Sequence, residues 1–160
     1  MPATLTICRM KNMMKHIAII AVLLFAAVTA AAQSFVRQGS SQYSTPLYNW
    51  DGSCLRAGNS VYSAVLYNFD GEFIRKGSSR YGEILYNWNG SELRQGRSAY
   101  GTVLYNWDGK CVRQGSSRYA TVLYNYDGQY LRKGASVYSS PLLNISGTIP
   151  IAILILIQVM

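Results

Sequence analysis

The sequence predicts an all-β protein in which antiparallel hairpins form a pseudo-symmetric closed ring or a shallow barrel. Three observations lead to this prediction: a 19-residue unit recurs from residue 33 to residue 147, each unit has a turn motif between two short apolar segments, and an apolar tail follows the last unit. A repeat of this length is one supersecondary unit, which buries its apolar face against its neighbours. The predicted organisation is a signal peptide (1–32), a hairpin-repeat domain (33–147) and an apolar tail (148–160).

The N-terminal segment has the three parts of a secretory signal peptide. Lys15 and His16 form a basic region, residues 17–28 form an apolar stretch, and the small residues of "TAAAQS" surround a cleavage site predicted after Ala32. Met14 is the predicted start of this signal. The apolar stretch is shorter than the ~20 residues that a helix needs to cross a bilayer. We therefore expect export to the periplasm, the cell surface or the medium, and an uncleaved anchor is the alternative.

The charge of the chain predicts the class of its partner, and the positions of its cysteines predict whether they form a disulfide. After residue 32 the chain has twelve Lys and Arg against seven Asp and Glu, a net charge near +5. This charge favours anionic partners such as lipid headgroups or polyanionic glycans, and nucleic acid is not expected for an exported chain. Cys54 and Cys111 occupy the same repeat position three units apart, so a closed ring would hold them beyond the ~7 Å limit for a disulfide. We expect two free thiols.

Residues in step along the chain define the 19-residue unit. A leucine is followed two residues later by an asparagine and five residues later by a glycine, and an arginine is followed by Gly, Ser and Tyr at two, four and six residues. The repeat domain opens in the second half of one unit and ends in the first half of another, with five whole units between them. The leucines are Leu47, Leu66, Leu85, Leu104, Leu123 and Leu142, and the asparagines are Asn49, Asn68, Asn87, Asn106, Asn125 and Asn144.

Each unit is predicted to be a hairpin, because Asn-aromatic-Asp-Gly is typical of a tight turn. A type I turn with a Gly bulge is favoured, and a two-residue Asp-Gly turn is the alternative. With the bulge, Leu66 lies opposite Ile74 and Tyr67 lies opposite Phe73. This register predicts that the repeated leucines and the aliphatic residues of the second strands face inward. The repeated tyrosines would then lie on a half-exposed outer face.

The two ends of the repeat domain are predicted to close the ring. Gly and Ser in the segments between hairpins favour turns, so the chain should meander antiparallel through twelve short strands. Residues 34–37 form a second strand without a first, and residues 138–144 form a first strand without a second. Pairing between them would remove the exposed edges of the sheet. An open solenoid of hairpins is the alternative.

The tail from residue 149 to residue 160 breaks the repeat and is apolar apart from Pro150 and Gln158. A segment that is apolar on all sides must be surrounded on all sides. A ring of about twelve strands is too wide for its own side chains to fill, which favours a tail inside the ring. Contact of the tail with a membrane or a partner, and out-of-frame sequence, are the other two interpretations.

The repeated "LYNWDGxxLRxGSSxYGT"-like hairpins, the signal peptide and the "GTIPIAILILI" tail together resemble the bacterial beta-flower proteins, in particular the group called five-fold beta-flower. The resemblance covers nearly all of the chain after the signal peptide. It implies a shallow barrel of hairpin petals around an apolar centre in an exported protein. No activity and no functional residue transfers from it. Five whole units plus a split sixth leave the symmetry order, five or six, open.

The chain offers few groups for catalysis, and no enzyme activity, metal or cofactor is expected. The single histidine, His16, lies in the signal peptide, so the exported chain lacks the commonest general base and metal ligand. Asp51, Asp70, Asp108 and Asp127 each occupy a turn, where an aspartate is ordinary. The repeated serines have no base beside them and are expected to hydrogen-bond the connecting turns.

Two sets of residues are the candidate ligand-binding sites. A ring of arginines could bind phosphate or carboxylate groups, or each could stack on a tyrosine of the same face, as Arg75 on Tyr67. A ring of aromatic residues at the hairpin tips could stack on sugars or lie at a bilayer interface, or could only cover the ends of the petals. The arginines are Arg56, Arg75, Arg94, Arg113 and Arg132, and the aromatic residues are Trp50, Phe69, Trp88, Trp107 and Tyr126.

These observations predict an exported, non-enzymatic protein of the cell envelope that binds an anionic or amphipathic ligand, either lipid or glycan, through the arginine and aromatic rings. The alternative is a structural or assembly component whose apolar tail contacts a partner or a membrane. The residues alone do not identify the ligand, the partner or the oligomeric state.

Overall fold

Twelve short strands and one helix make up the regular structure of residues 33–159, which are the residues that the computed structural model describes. The predicted signal peptide lies outside the described residues, as does Met160. The elements are β1 (Ser34–Gln38), β2 (Tyr48–Trp50), β3 (Cys54–Ala57), β4 (Val65–Phe69), β5 (Phe73–Lys76), β6 (Ile84–Trp88), β7 (Glu92–Gln95), β8 (Val103–Trp107), β9 (Cys111–Gln114), β10 (Val122–Tyr126), β11 (Tyr130–Lys133), β12 (Pro141–Ser146) and α1 (Ile151–Val159).

The strands form a closed antiparallel barrel in which each strand pairs with its neighbour in sequence. The ring is completed by β1 and β12, where Val36 lies opposite Ile145 and Arg37 lies opposite Asn144. The predicted closed ring is therefore confirmed, and the open solenoid is wrong. We call each pair of strands joined by an Asn-aromatic-Asp-Gly turn, or by the Asn-Trp-Asn-Gly turn between β6 and β7, a petal, and we give the same name to the closing pair of β12 with β1. Five petals are continuous in sequence, and the sixth is formed by β12 with β1.

The antiparallel meander gives the barrel two different ends. The tight turns inside the petals all lie at one end, which we call the hairpin end, because every even-numbered strand runs toward it. The segments that join one petal to the next, residues 39–47 and 58–64 among them, all lie at the opposite end, which we call the connection end. Residues in equivalent repeat positions therefore lie at similar heights around the barrel.

The register within the petals differs from the predicted one. In the second petal Phe69 lies opposite Ile74 and Tyr67 lies opposite Lys76. The predicted three-residue turn had placed Leu66 opposite Ile74 instead. Because successive side chains of a strand point to opposite faces, an odd shift of register exchanges the two faces of the first strand.

The aspartate of the turn accounts for this difference. Oδ1 of Asp70 accepts hydrogen bonds from the backbone N–H groups of Glu72 at 3.0 Å and Phe73 at 2.7 Å. These bonds make Asp70 the first of the four residues between the paired residues Phe69 and Ile74, rather than the middle of a three-residue turn. Gly71 follows with a φ of 101°, which only glycine adopts readily.

Five of the six repeated leucines are bulge residues, the exception being Leu47, which precedes β2, and the prediction that the repeated leucines face inward is wrong. Between petals, Leu55 pairs with Tyr67 while the next pair is Arg56 with Val65, so Leu66 is the extra residue of a β-bulge. Leu66 is only half-buried. The register shifts at the same position in four other pairings between petals, and β1 pairs with β2 without a shift. The repeated tyrosines take the inward place instead.

The core of the barrel is apolar, and the aliphatic residues of the second strands face it as predicted. All of them are at most 1% exposed, and the repeated tyrosines pack against them. The aliphatic residues are Val36, Leu55, Ile74, Leu93, Val112 and Leu131, and the tyrosines are Tyr48, Tyr67, Tyr86, Tyr105 and Tyr124.

The apolar tail fills the middle of this core as a helix. Residues 152–157 of α1 are buried and belong to the same apolar cluster as the strand residues. Nine residues of helix span about 13 Å, which matches the height of strands of four or five residues at about 3.3 Å each. β-Branched residues are not strong helix formers, so burial rather than propensity stabilises this helix. The predicted plug is therefore confirmed.

Candidate binding grooves

The predicted arginine ring is neutralised by the carboxylates of the same petals. Each arginine side chain is only 10–16% exposed and donates to an acidic neighbour. Arg94 pairs with Glu92, and the other pairs are Arg56 with Asp51 (2.5 Å), Arg75 with Asp70 (2.7 Å), Arg113 with Asp108 (2.5 Å) and Arg132 with Asp127 (2.6 Å). These guanidinium groups can reach a ligand only together with their carboxylate partners.

Two of the five arginines also contact aromatic rings, although not the predicted ones. Arg75 lies over the ring of Phe73, with 5.5 Å between the guanidinium carbon and the ring centroid. Arg132 lies over Tyr130 in the same way at 5.0 Å. The predicted stacking of Arg75 on Tyr67 is wrong, because the observed register turns Tyr67 inward and leaves Arg75 on the outer face.

The aspartates have two roles in the four petals that contain one at this position. In the first petal, Oδ1 of Asp51 accepts from the N–H groups of Ser53 (2.9 Å) and Cys54 (2.7 Å), while Oδ2 accepts from Arg56. Partial burial raises the pKa of Asp51, but the hydrogen bonds from Arg56, Ser53 and Cys54 outweigh it and hold the pKa at about 2. The carboxylate therefore stays ionised and bound to the arginine at neutral pH.

The aromatic residues at the hairpin tips are not an exposed ring. Trp50 and Phe69 are 3% and 8% exposed and belong to the core. Trp88, Trp107 and Tyr126 are half-buried and pack against the core. Neighbouring tips also meet each other, since the rings of Trp107 and Tyr126 lie 6.5 Å apart. Their main contribution is to cover the hairpin end of the core.

The repeated asparagines fix the connecting segments against the outside of the petals. Asn68 is 8% exposed, and its Nδ2 donates to the carbonyl oxygens of Gly77 (2.7 Å) and Ser79 (3.1 Å). The same two bonds recur from the asparagines of the other four continuous petals. The sequence motif predicted only that these asparagines begin the hairpin turns, and not that their amides hold the connecting segments. Their spacing from the Gly and Ser of the connections was the available signal.

Three adjacent petals carry a groove on the outer face, bounded by one of these folded connections. We name each groove after the exposed arginine that its connection contributes: the Arg80 groove (390 Å³), the Arg97 groove (270 Å³) and the Arg118 groove (460 Å³). These volumes are near or within the range of about 300–1,000 Å³ that small-molecule sites occupy.

The groove arginines differ electrostatically from the predicted ring. Arg80, Arg97 and Arg118 are exposed, and none of them forms an ion pair within residues 33–159. Arg80 and Arg118 occupy one repeat position, whereas Arg97 lies two positions earlier in its unit. Different positions therefore supply a free guanidinium to equivalent grooves. Because they do not follow the repeat, these three arginines were not among the predicted site residues.

The walls of each groove provide acceptors and donors of hydrogen bonds. The Arg80 groove is lined by Asn68, by the Asp70–Arg75 ion pair and by Ser78. Phe69 also lines it, as Trp88 and Trp107 line the other two grooves. Two of the predicted arginines, Arg75 and Arg94, thus contribute to groove walls, and Arg56, Arg113 and Arg132 do not line these three grooves.

Cys54 and Cys111 are free thiols, as the spacing predicted. Across residues 33–159, no group of three or more His, Cys, Asp or Glu side chains is arranged to hold a metal ion. The same residues include no helix of the length and hydropathy that a membrane span requires.

Comparison with known families agrees with the geometry. Residues 36–154 match the family model described as "6-fold beta flower protein", and comparisons with curated proteins and with solved structures found no match. The resemblance to beta-flower proteins is confirmed, but the five-fold subtype is not. Six-fold order agrees with the six petals, of which the sixth joins the two ends of the repeat domain. The chain belongs to the six-fold beta flower protein family.

Proposed function

We propose that this protein is exported and binds acidic glycans, without catalysis, in the Arg80, Arg97 and Arg118 grooves. The observation that supports the proposal is the repetition of one arrangement in three adjacent petals. In each, an arginine without a carboxylate partner lies at a groove whose walls also include an asparagine, an acidic residue and an aromatic ring. The signal-peptide features of residues 1–32 support export.

A saccharide suits the mixture of groups in these grooves. Sugar hydroxyls both donate and accept, and the Arg80 groove offers the acceptors of Asn68 and Asp70 together with the donors of Arg80 and Ser78. An unpaired guanidinium adds a charge-assisted, bidentate contact for the carboxylate of an acidic sugar. A simple hydrophobic ligand would leave these polar groups without partners, which is costly.

The repetition favours a polymer over a single small molecule. Equivalent grooves on adjacent petals lie side by side around the barrel, so successive units of one chain can occupy them. Occupying a second groove is then intramolecular, and the overall affinity exceeds that of a single groove. We expect weak binding of monosaccharides and much stronger binding of an acidic polysaccharide.

Polygalacturonate and neutral dextran are suitable probes for the purified protein. The triple variant Arg80→Gln, Arg97→Gln, Arg118→Gln should bind polygalacturonate at least about tenfold more weakly, since each charged contact contributes on the order of a factor of ten. Dextran should bind weakly to both proteins. Isothermal titration calorimetry at two salt concentrations measures these affinities.

A matched control separates the grooves from net charge. Lys76→Gln, Lys110→Gln, Lys133→Gln removes the same number of positive charges from exposed positions outside the three grooves. This variant should lose at most about threefold in affinity at physiological salt, where screening acts over ~8 Å. Equal losses in both variants would show that binding is a non-specific charge effect and would exclude the grooves as sites.

A further inference from the structure

Six tyrosines at the connection end are almost completely exposed. Each occupies the turn of one connecting segment, where the backbone N–H of the tyrosine is held by a serine hydroxyl two residues earlier, as Tyr62 is by Ser60 (3.2 Å). A tyrosine ring is largely apolar and is seldom left fully in water. The tyrosines and their exposed fractions are Tyr43 (90%), Tyr62 (95%), Tyr81 (93%), Tyr100 (99%), Tyr119 (91%) and Tyr138 (95%).

The six connecting segments form two groups of three that differ in their charged residues. The segments 77–83, 96–102 and 115–121 contain three arginines and one glutamate. The segments 134–140, 39–47 and 58–64 contain no charged residue. Because β12 pairs with β1, these three uncharged segments are neighbours around the barrel.

The uncharged half exposes additional aliphatic side chains beside its tyrosines. Val61 is 49% exposed, Leu47 is 40% exposed and Val137 is 40% exposed. Two of them, Val61 and Val137, immediately precede a tyrosine in positions where the charged half has Arg80 and Arg118. We call Tyr43, Leu47, Val61, Tyr62, Val137 and Tyr138 the apolar arc.

We propose that the apolar arc inserts into the interface of a lipid bilayer that carries anionic headgroups. Tyrosine is enriched at the membrane–water interface, where its ring meets the acyl boundary and its hydroxyl meets the headgroups. An exposed cluster of aromatic and aliphatic residues with basic residues beside it is typical of such binding.

The charge around the arc favours a bilayer over a second copy of the chain. Lys133 ends the strand before one segment of the arc, and Lys76, Arg80, Arg97 and Arg118 follow around the same end of the barrel, against a single acidic residue, Glu83. Anionic headgroups attract this end, with a dependence on salt. Two copies docked through the arc would bring these positive charges together. The apolar arc lies on loops distinct from those that line the grooves, so its insertion does not depend on glycan binding, although Arg80, Arg97 and Arg118 contribute charge to both surfaces.

Vesicle co-sedimentation of the purified protein tests the proposal. The probes are vesicles of phosphatidylcholine alone and of phosphatidylcholine with phosphatidylglycerol in equal parts. The protein should bind the mixed vesicles more strongly. Tyr43→Ser, Tyr62→Ser, Tyr138→Ser should reduce this binding at least about tenfold, because it removes most of the apolar surface that enters the interface.

The other three tyrosines provide a matched control. Tyr81→Ser, Tyr100→Ser, Tyr119→Ser removes the same surface from the charged half and should reduce vesicle binding at most about threefold. All six rings are exposed, so both variants should keep the circular dichroism spectrum of the parent. If one does not, Val61→Ser, Val137→Ser tests the arc separately.

Three outcomes would overturn the proposal. The first is equal loss of vesicle binding in the two tyrosine variants, and the second is no binding of the parent protein to either vesicle. The third is a dimer of the parent in size-exclusion chromatography that the arc variant dissociates, which would show that a second copy covers the arc. Polygalacturonate binding by the arc variant is expected to be unchanged, which separates this proposal from the proposed function.

Discussion

Arg94 donates to the carboxylate of Glu92, two residues before it on the same strand, whereas in the other continuous petals the equivalent arginine pairs with an aspartate five residues before it. The third petal has Asn89 in the place of that aspartate. Oδ1 of Asn89 still accepts from the N–H groups of Ser91 (3.0 Å) and Glu92 (2.7 Å). The turn and the charge pair are therefore separable functions, and Glu92 supplies the second.

Glu92→Gln should lower the free energy of unfolding by about 1 kcal/mol, because Arg94 is mostly buried and would lose its only acidic partner in the described residues. Adding Asn89→Asp should restore most of the loss, since it recreates the pairing of the other petals. Urea unfolding followed by tryptophan fluorescence measures both effects. Failure of the second substitution to restore stability would show that Glu92 acts through something other than its charge.

Acid should destabilise the barrel through the turn aspartates. The pKa of Asp51 is about 2, and the pKa values of Asp70, Asp108 and Asp127 are also lowered, in each case because hydrogen bonds from the turn and the arginine outweigh partial burial. The pKa of an aspartate in the unfolded chain is about 3.9. A lowered folded pKa means that the ionised form stabilises the fold. This contribution is complete above about pH 4 and is lost as the pH falls toward about 2.

Thermal melts between about pH 5 and pH 2 check this expectation. The melting temperature should fall mainly below about pH 4. Asp51→Asn keeps the turn acceptor but removes one ionisable partner, so the variant should be less stable at neutral pH and lose less on acidification. A melting temperature that is constant across this range would contradict the role of the four ion pairs.

Much of this fold could be predicted from periodicity alone. Adding 19 along the chain identifies twelve strands, and the half units at 33 and 147 predict the pairing of β1 with β12. The register within a petal could not be predicted, because the sequence Asn-aromatic-Asp-Gly is compatible with several turns. The side chain of Asp70 selects among them by accepting two backbone N–H groups. The selected turn fixes the register of the petal, in which Tyr67, and not Leu66, faces the core.

The candidate site was harder to predict, because its arginines do not follow the repeat. Arg56, Arg75, Arg94, Arg113 and Arg132 are the most regular arginines, and this regularity reflects the ion pairs of the five continuous petals. Arg80, Arg97 and Arg118 vary in position and occur in only three units. Departures from the repeat, rather than the repeated residues, distinguish one petal from another. The tail was predicted to fill the ring, but its helical form follows from the space available inside the strands.

The buried asparagines should tolerate no exchange of amide for carboxylate. In Asn106→Asp, an oxygen would replace the Nδ2 that donates to the carbonyls of Gly115 (2.7 Å) and Ser117 (3.3 Å). Two hydrogen bonds would be lost and like partial charges would face each other, at a cost of about 2 kcal/mol or more. Hydrogen exchange should rise in segment 115–121. Asn59→Asp is the matched control, because Asn59 is exposed and its side chain forms no hydrogen bond among residues 33–159, and it should change stability by less than about 0.5 kcal/mol.

Substitutions in α1, the helix inside the barrel, give the most direct test of the fold. Leu154 is fully buried at the centre of α1, so Leu154→Ala should lower the free energy of unfolding by about 2–5 kcal/mol. Val159→Ala removes a comparable apolar side chain from the end of the same helix, where 46% is exposed, and should change stability by less than about 0.5 kcal/mol. Deleting residues 149–160 should abolish the cooperative transition in a thermal melt, because the strands alone leave an empty apolar centre. A truncated chain that melts cooperatively at the same temperature would show that the barrel does not need its helix.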